Sequence, residues 1–174
     1  MSGADATRRG GHVPSRVRVL LVCSSGGHLL QLHALRDAWS ETSRAWVSFD
    51  KSDVRSLLAG EHVVFAFGPT NRHVGNLLRN VVLAIRVVTR LRPRVLVTTG
   101  AGVAVPFAWI AYLLGAKVVY VESLTRIDDV SLSCRLIRPV ASRVYVQWPE
   151  TTKVLRGSRF VGNVFSDDLL RTPT

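Results

Sequence analysis

Between Glu61 and Glu122 the chain carries no acidic residue, yet Arg72, Arg79, Arg86, Arg90, Arg92, Arg94 and Lys117 all fall inside that gap. Over the whole 174 residues, 23 lysines and arginines face 12 acids, a formal net charge of +11. A block of one sign favours an anionic partner: lipid headgroups, diphosphates or nucleic acid. Nucleic acid finds no second sign, because the basic residues are not interleaved with aromatics and no RNA-binding signature occurs.

Cysteine is nearly missing. Cys23 and Cys134 stand far apart with no CxxC spacing, which excludes a disulfide framework and a zinc site and leaves two small buried hydrophobes in a reducing compartment. His33, His62 and His73 have no ligand spacing with Asp or Cys, so no metal is expected. A long apolar run is missing too. Val95–Gly115 is broken by Thr98, Thr99, Gly100, Gly102 and Pro106, and Val81–Leu91 carries Arg86 and Arg90, whereas a membrane span needs about 20 mostly apolar residues. Met1–Ser15 is polar and Gly-rich, without the apolar stretch of a secretory signal. The expectation is a cytoplasmic protein that meets a membrane only at its surface.

What is present is an α/β pattern. Apolar runs at Val17–Val22, Arg44–Phe49, His62–Ala66, Val95–Val97, Lys117–Val121 and Arg143–Val146 predict strands, with a short seventh near Arg159–Val161. Between them Gly27–Trp39, Asp50–Leu58, Val74–Leu91, Val103–Leu114 and Val130–Ile137 predict helices. Gly60, Gly68-Pro69, Pro93, Gly115 and Pro139 punctuate the boundaries. Such alternation predicts a Rossmann-like, doubly wound parallel sheet, and a hydrophobic content of 47% suits strands buried on both faces.

Two turns stand out. Ser24-Ser25-Gly26-Gly27-His28 follows the first strand and opens a helix; Thr98-Thr99-Gly100-Ala101-Gly102 does the same after Val95–Val97. Glycine lets the backbone approach a ligand, and the unpaired N–H groups and dipole of a helix start favour an anion. The first turn is not GxGxxG, which speaks against a dinucleotide, although Asp50 ends the second strand as an acidic ribose partner would. On Val74–Leu91, the spacing of Arg79, Arg86 and Arg90 puts the three near one face beside a wide apolar surface. That helix either covers the sheet with a solvated basic edge or lies on an anionic bilayer.

Four segments together resemble one family: Ser24-Ser25-Gly26-Gly27-His28-Leu29, Thr99-Gly100-Ala101-Gly102-Val103-Ala104-Val105-Pro106, Val121-Glu122-Ser123-Leu124-Thr125-Arg126 and Val146-Gln147-Trp148-Pro149-Glu150. In this order they are similar to the membrane-associated subunit of the two-chain N-acetylglucosaminyltransferase of dolichol-linked oligosaccharide synthesis, and to its bacterial relatives in exopolysaccharide and capsule assembly. The resemblance implies the N-terminal, acceptor-binding half of a GT-B glycosyltransferase. The UDP-sugar would be held by a separate donor-binding chain, with a polyprenyl-diphosphate-linked glycan as acceptor and no further cofactor. Residues 1–16 are then expected as a disordered tail, 17–165 as the acceptor-binding domain and 166–174 as a tail that docks on the partner; no second domain or N-terminal anchor is expected.

Within that frame His28 is the first candidate for general base or for a hydrogen bond to acceptor phosphate, the alternative being a residue that merely caps its turn. Glu122 is a second candidate base, or orients His28, or pairs with Arg126. Ser25, Gly26, Gly27, Gly100, Gly102 and Arg126 are candidates for acceptor and phosphate binding, Arg126 through a bidentate fork. Gln147, Trp148 and Glu150 are candidates for the partner interface, with a packing role for Trp148 as the alternative. A non-catalytic scaffold that recruits the donor-binding chain is the competing reading, and a free-standing phosphosugar-binding enzyme a third.

Overall fold

Seven strands, β1 (Val19–Val22), β2 (Arg44–Phe49), β3 (Val63–Ala66), β4 (Val95–Thr98), β5 (Lys117–Val121), β6 (Arg143–Val146) and β7 (Arg159–Phe160), form one sheet in the order β3-β2-β1-β4-β5-β6-β7, every neighbouring pair parallel. The computed structural model describes residues 16–70 and 74–165. The tails expected at 1–16 and 166–174 lie outside that range, Arg16 excepted, as do Arg72 and His73. The helices are α1 (Gly27–Ala34), α2 (Ser52–Leu57), α3 (Val74–Leu91), α4 (Ala104–Leu113), α5 (Leu132–Ile137) and α6 (Thr151–Val154).

Two apolar cores hold the layers together, because successive strand residues point to opposite faces. Leu20, Val22, Val47 and Leu96 join α3, α4 and α5 residues such as Ala84, Val88, Phe107 and Ile137 on one face. Leu21, Cys23, Trp46 and Val97 join Leu29 and Leu32 of α1 and Val54 of α2 on the other. Each fully buried Leu or Val side chain contributes roughly 1.5–3 kcal/mol. Beyond Val97 this second face opens into an apolar groove of about 620 Å³ floored by Val95, Val97, Val119, Val121 and Tyr145. Burial pushes both thiols, Cys23 and Cys134, up to about 12.

The expected helix Gly27–Trp39 is shorter than its sequence pattern. It ends at Ala34, and a 3₁₀ turn follows at Arg36–Ala38, where Leu35 N donates to Leu32 O at 3.1 Å and Ala38 N to Leu35 O at 3.0 Å. The tighter turn seats Trp39 edge-on against Trp46, ring centroids 6.4 Å apart at 78°. α3 is fixed to the loop after β3 by Asn80, whose amide accepts from Phe67 N at 2.9 Å and donates to Phe67 O at 2.8 Å. Pro106 sits in the first turn of α4, where its missing N–H costs nothing.

Candidate functional site

The strand order reverses direction between β1 and β4, and in open parallel sheets this switch point is where ligands bind, outside the carboxyl ends of the strands. Both glycine-bearing turns lie there. Thr99 Oγ1 donates to the His28 carbonyl at 2.8 Å and joins them. Around them opens a pocket of about 490 Å³ with a polar side that includes Ser24, His28, Ser123, Thr125, Arg126 and Ser131. Phe49, Pro69, Val105, Leu132 and Leu136 form its apolar side.

Gly100 is obligatory in this arrangement. Its φ is +100°, and a Cβ there would lie 2.5 Å from the Tyr120 hydroxyl and 2.9 Å from Ser133 Oγ. Ala101, lining the pocket, holds φ +71° without being glycine, a left-handed conformation that costs about 1 kcal/mol. Gly26 has φ +74°, but its N–H is not open to a ligand: it donates to Asp53 Oδ2 at 2.7 Å. A carboxylate from α2 thus stands on the first turn. Ser25 is half-buried and Gly27 exposed beside it.

His28 lines the pocket, and its Nδ1 is buried with no hydrogen-bond partner among the described residues. Burial holds its pKa below the usual histidine range, with the Thr99 backbone and the Glu122 charge opposing and Arg126 adding to the depression. A neutral imidazole on the pocket wall is the state a general base needs.

Glu122 is placed differently from the sequence expectation of a residue facing the acceptor. It is fully buried, and its carboxylate accepts from Ser123 N at 2.8 Å, Ser131 N at 3.1 Å, Ser131 Oγ at 3.0 Å and Tyr120 OH at 3.4 Å. It does not pair with Arg126, whose Nη1 instead meets Asp129 Oδ2 at 2.6 Å. Glu122 therefore holds the 123–131 loop, which supplies Ser123, Thr125, Arg126 and Ser131 to the pocket wall.

The same loop explains the last motif. Trp148, half-buried, donates Nε1–H to Leu124 O at 2.7 Å, and Thr151 Oγ1 donates to Arg126 O and Ile127 O at 3.1 and 2.6 Å. Gln147 is buried and accepts from Val164 N at 3.0 Å, whereas Glu150 is exposed. From the opposite side Gln31 donates to Glu122 O at 2.6 Å and accepts from Leu124 N at 3.1 Å. Nothing local in the sequence marks Gln31, a helix glutamine whose partners lie more than ninety positions away. Ser131 was readable: it caps α5 by accepting from Cys134 N at 3.1 Å, a Ser three residues before that amide.

α3 presents three faces. Asn80, Ala84, Val87, Val88 and Leu91 are buried; Val74, Leu78, Val82 and Ile85 are apolar and exposed; Arg79, Arg86 and Arg90 are exposed beside them. No helix among the described residues is long and apolar enough to cross a membrane.

A family model described as "Oligosaccharide biosynthesis protein Alg14 like" matches residues 69–164, which carry the second turn, the 122–131 loop and the Gln147–Glu150 segment. The chain belongs to the Alg14-like family. Its relatives in this family include proteins named UDP-N-acetylglucosamine transferase subunit ALG14. That of Eremothecium gossypii is 30% identical over 88% of this chain and 82% of its own length, and that of Mus musculus is 25% identical over 88% and 86%. Among solved structures, MurG of Acinetobacter baumannii superposes with a TM-score of 0.66 at 19% identity over 84% of this chain and 45% of its own. UDP-GlcNAc 2-epimerase of Methanocaldococcus jannaschii gives a TM-score of 0.67 at 18% identity over 83% and 46%. The Alg14-like chain thus spans about half the length of these two structures, and the likeness to them is one of GT-B, Rossmann-like fold.

Proposed function

We propose that this chain is the acceptor-binding subunit of a two-chain glycosyltransferase that passes a sugar from a UDP-sugar, such as UDP-N-acetylglucosamine, to a polyprenyl-diphosphate-linked glycan. The observation that carries this reading is His28, held neutral by burial, on the wall of a pocket at the switch point. Relatives named as UDP-N-acetylglucosamine transferase subunits, matched over most of their length, support it.

In the reaction, an acceptor hydroxyl loses its proton to His28 as its oxygen bonds to the donor's anomeric carbon. The carbon–oxygen bond to UDP breaks, and the diphosphate leaves with the electron pair. Arg126 and the Ser123, Thr125 and Ser131 hydroxyls hold the acceptor, and Glu122 acts through the loop that carries them. The second turn admits acceptor sugar or donor close to backbone at Ala101 and Gly102, which line the pocket, whereas Gly100 is buried against Tyr120 and Ser133 and serves the turn itself. The UDP-sugar itself is held by the donor-binding partner, and the chain needs no cofactor of its own. Partner contact involves the exposed Glu150, while Gln147 and Trp148 act from behind it. The chain lies peripherally on the cytoplasmic face of the membrane, its Val74, Leu78, Val82 and Ile85 stripe at the acyl boundary and Arg79, Arg86 and Arg90 on anionic headgroups.

The test is a transfer assay with and without the donor-binding chain, using membrane-extracted acceptor and labelled UDP-sugars. Transfer that needs both chains and falls at least a hundredfold in His28→Ala, with the complex intact, is the expected result. Full transfer by the partner alone overturns it. Transfer that needs both chains but survives His28→Ala moves the chemistry wholly to the partner and leaves this chain as a scaffold.

A further inference from the structure

The amino ends of the strands, opposite the pocket, gather four arginines that form none of the ion pairs among the described residues. Arg18 and Arg94 immediately precede the adjacent strands β1 and β4, and Arg94 N donates to Arg18 O at 3.0 Å. Arg16 and Arg92 stand two residues before them, brought together by Val17 N donating to Leu91 O at 3.0 Å. The four arginines, with Val17 and Ser43, line a cavity of about 380 Å³. No carboxylate lines it, and the ion pairs among the described residues engage other cations: Arg36, Arg44, Arg55 and Arg126.

Arg92 supplies an independent sign. Its φ is +45°, the left-handed region, at the end of α3, where helices commonly place glycine. A side chain there strains the backbone, and strain of this kind persists at sites that use it. One of its donors is spent locally, Nε reaching Thr89 O at 3.4 Å. That bond explains neither Arg16, Arg18 and Arg94 nor the absence of any acid. Four arginines lining one cavity with no acid among them make it a place of positive potential that draws an anion. Among anions, phosphate best matches their planar, paired donors.

We propose that this rim is a second anion site, in which Arg16, Arg18, Arg92 and Arg94 bind a phosphate group. A four-residue strand separates it from the His28 pocket by roughly 13 Å, so it is not the acceptor site, and it stands whether or not the transfer reading does. The phosphate belongs either to a soluble diphosphate or to a lipid headgroup. Arg92 also borders the cleft of Val88, Pro93 and Leu114, next to the exposed Leu113 and Leu114 at the end of α4.

The experiment compares the full chain with Arg92→Gly and with Arg92→Gly/Arg94→Gln. Glycine suits the left-handed backbone, so Arg92→Gly folds and, without ligand, melts at or above the wild-type temperature. Sodium pyrophosphate is titrated at low salt, and in parallel each protein is sedimented with phosphatidylcholine vesicles with and without phosphatidylglycerol. Pyrophosphate affinity falling about tenfold in Arg92→Gly and further in the double variant, with sedimentation unchanged, supports the site and names a soluble source. Sedimentation with phosphatidylglycerol falling in the variants, with no pyrophosphate effect, supports it and names the headgroup. Variants that match wild type in both assays overturn it. Sugar transfer is read separately, so that result leaves the transfer proposal standing.

Discussion

Thr99 Oγ1 and the His28 carbonyl oxygen, 2.8 Å apart, tie the turn after β4 to the turn after β1. Through this bond two segments more than seventy residues apart in sequence share one geometry, and the pocket has one floor rather than two lips. Thr99 is fully buried, so its hydroxyl has no water to turn to. Thr99→Val keeps the shape but removes the donor that the part-buried His28 carbonyl accepts from, leaving that carbonyl its helical bond alone. The expected cost is about 1 kcal/mol in urea denaturation, with a larger loss in transfer than in partner binding.

Glu122→Gln exchanges one carboxylate oxygen for an NH₂, which opposes the Ser123 N–H if it replaces Oε1 or the Ser131 N–H if it replaces Oε2. Stability is expected to fall by about 2 kcal/mol. Because the residue acts through the loop that bears Arg126, acceptor KM should rise more than kcat falls. A change confined to kcat, with KM unmoved, would instead place the carboxylate on the reacting atoms.

The His28 pKa is lower in the folded chain than in the unfolded one. Below the unfolded value of about 6.5 the unfolded chain therefore binds more protons than the native one. The stability held above that pH is lost as pH falls through it toward the folded value. Thermal melts between pH 8 and 5 should show this decline, and His28→Asn should show less of it. His33, also depressed by burial, contributes the remainder. An identical pH profile for wild type and variant would refute the assignment to His28.

Leu78 and Ile85, 61% and 45% exposed, lie on the apolar stripe of α3 beside Arg79 and Arg86. Replacing both by glutamate should abolish sedimentation with anionic vesicles while leaving the circular dichroism spectrum unchanged, since neither is in a core. Wild-type sedimentation should weaken with added salt, as headgroup attraction is screened beyond roughly 10 Å at 0.1 M. Unchanged sedimentation of the double variant would remove α3 from the membrane contact.

Much of the architecture was legible. The bounds of β2, β5, β6 and α3 agree with the sequence expectation because short runs of Val and aromatic residues mark the strands and a long 3.6-residue period marks the helix. The early end of α1 at Ala34 was not legible: no glycine or proline stops that helix, and what ends it is the packing of Trp39 on Trp46. α6 is too short to show a period. At the site, the two turns and the placement of His28 and Arg126 on one pocket follow from strand order, which alternation implies. The occupation of the Gly26 amide by Asp53, the burial of Glu122 and the bracing by Gln31 depend on contacts across 27, 9 and 91 positions, and no local pattern encodes those.

Val95 and Val119, half-buried on the floor of the open groove, bear on how the chain fares in a cell. Apolar surface left open to water is what chaperones and proteases recognise. Anything that shields the groove would lengthen the chain's lifetime without touching its rate of synthesis.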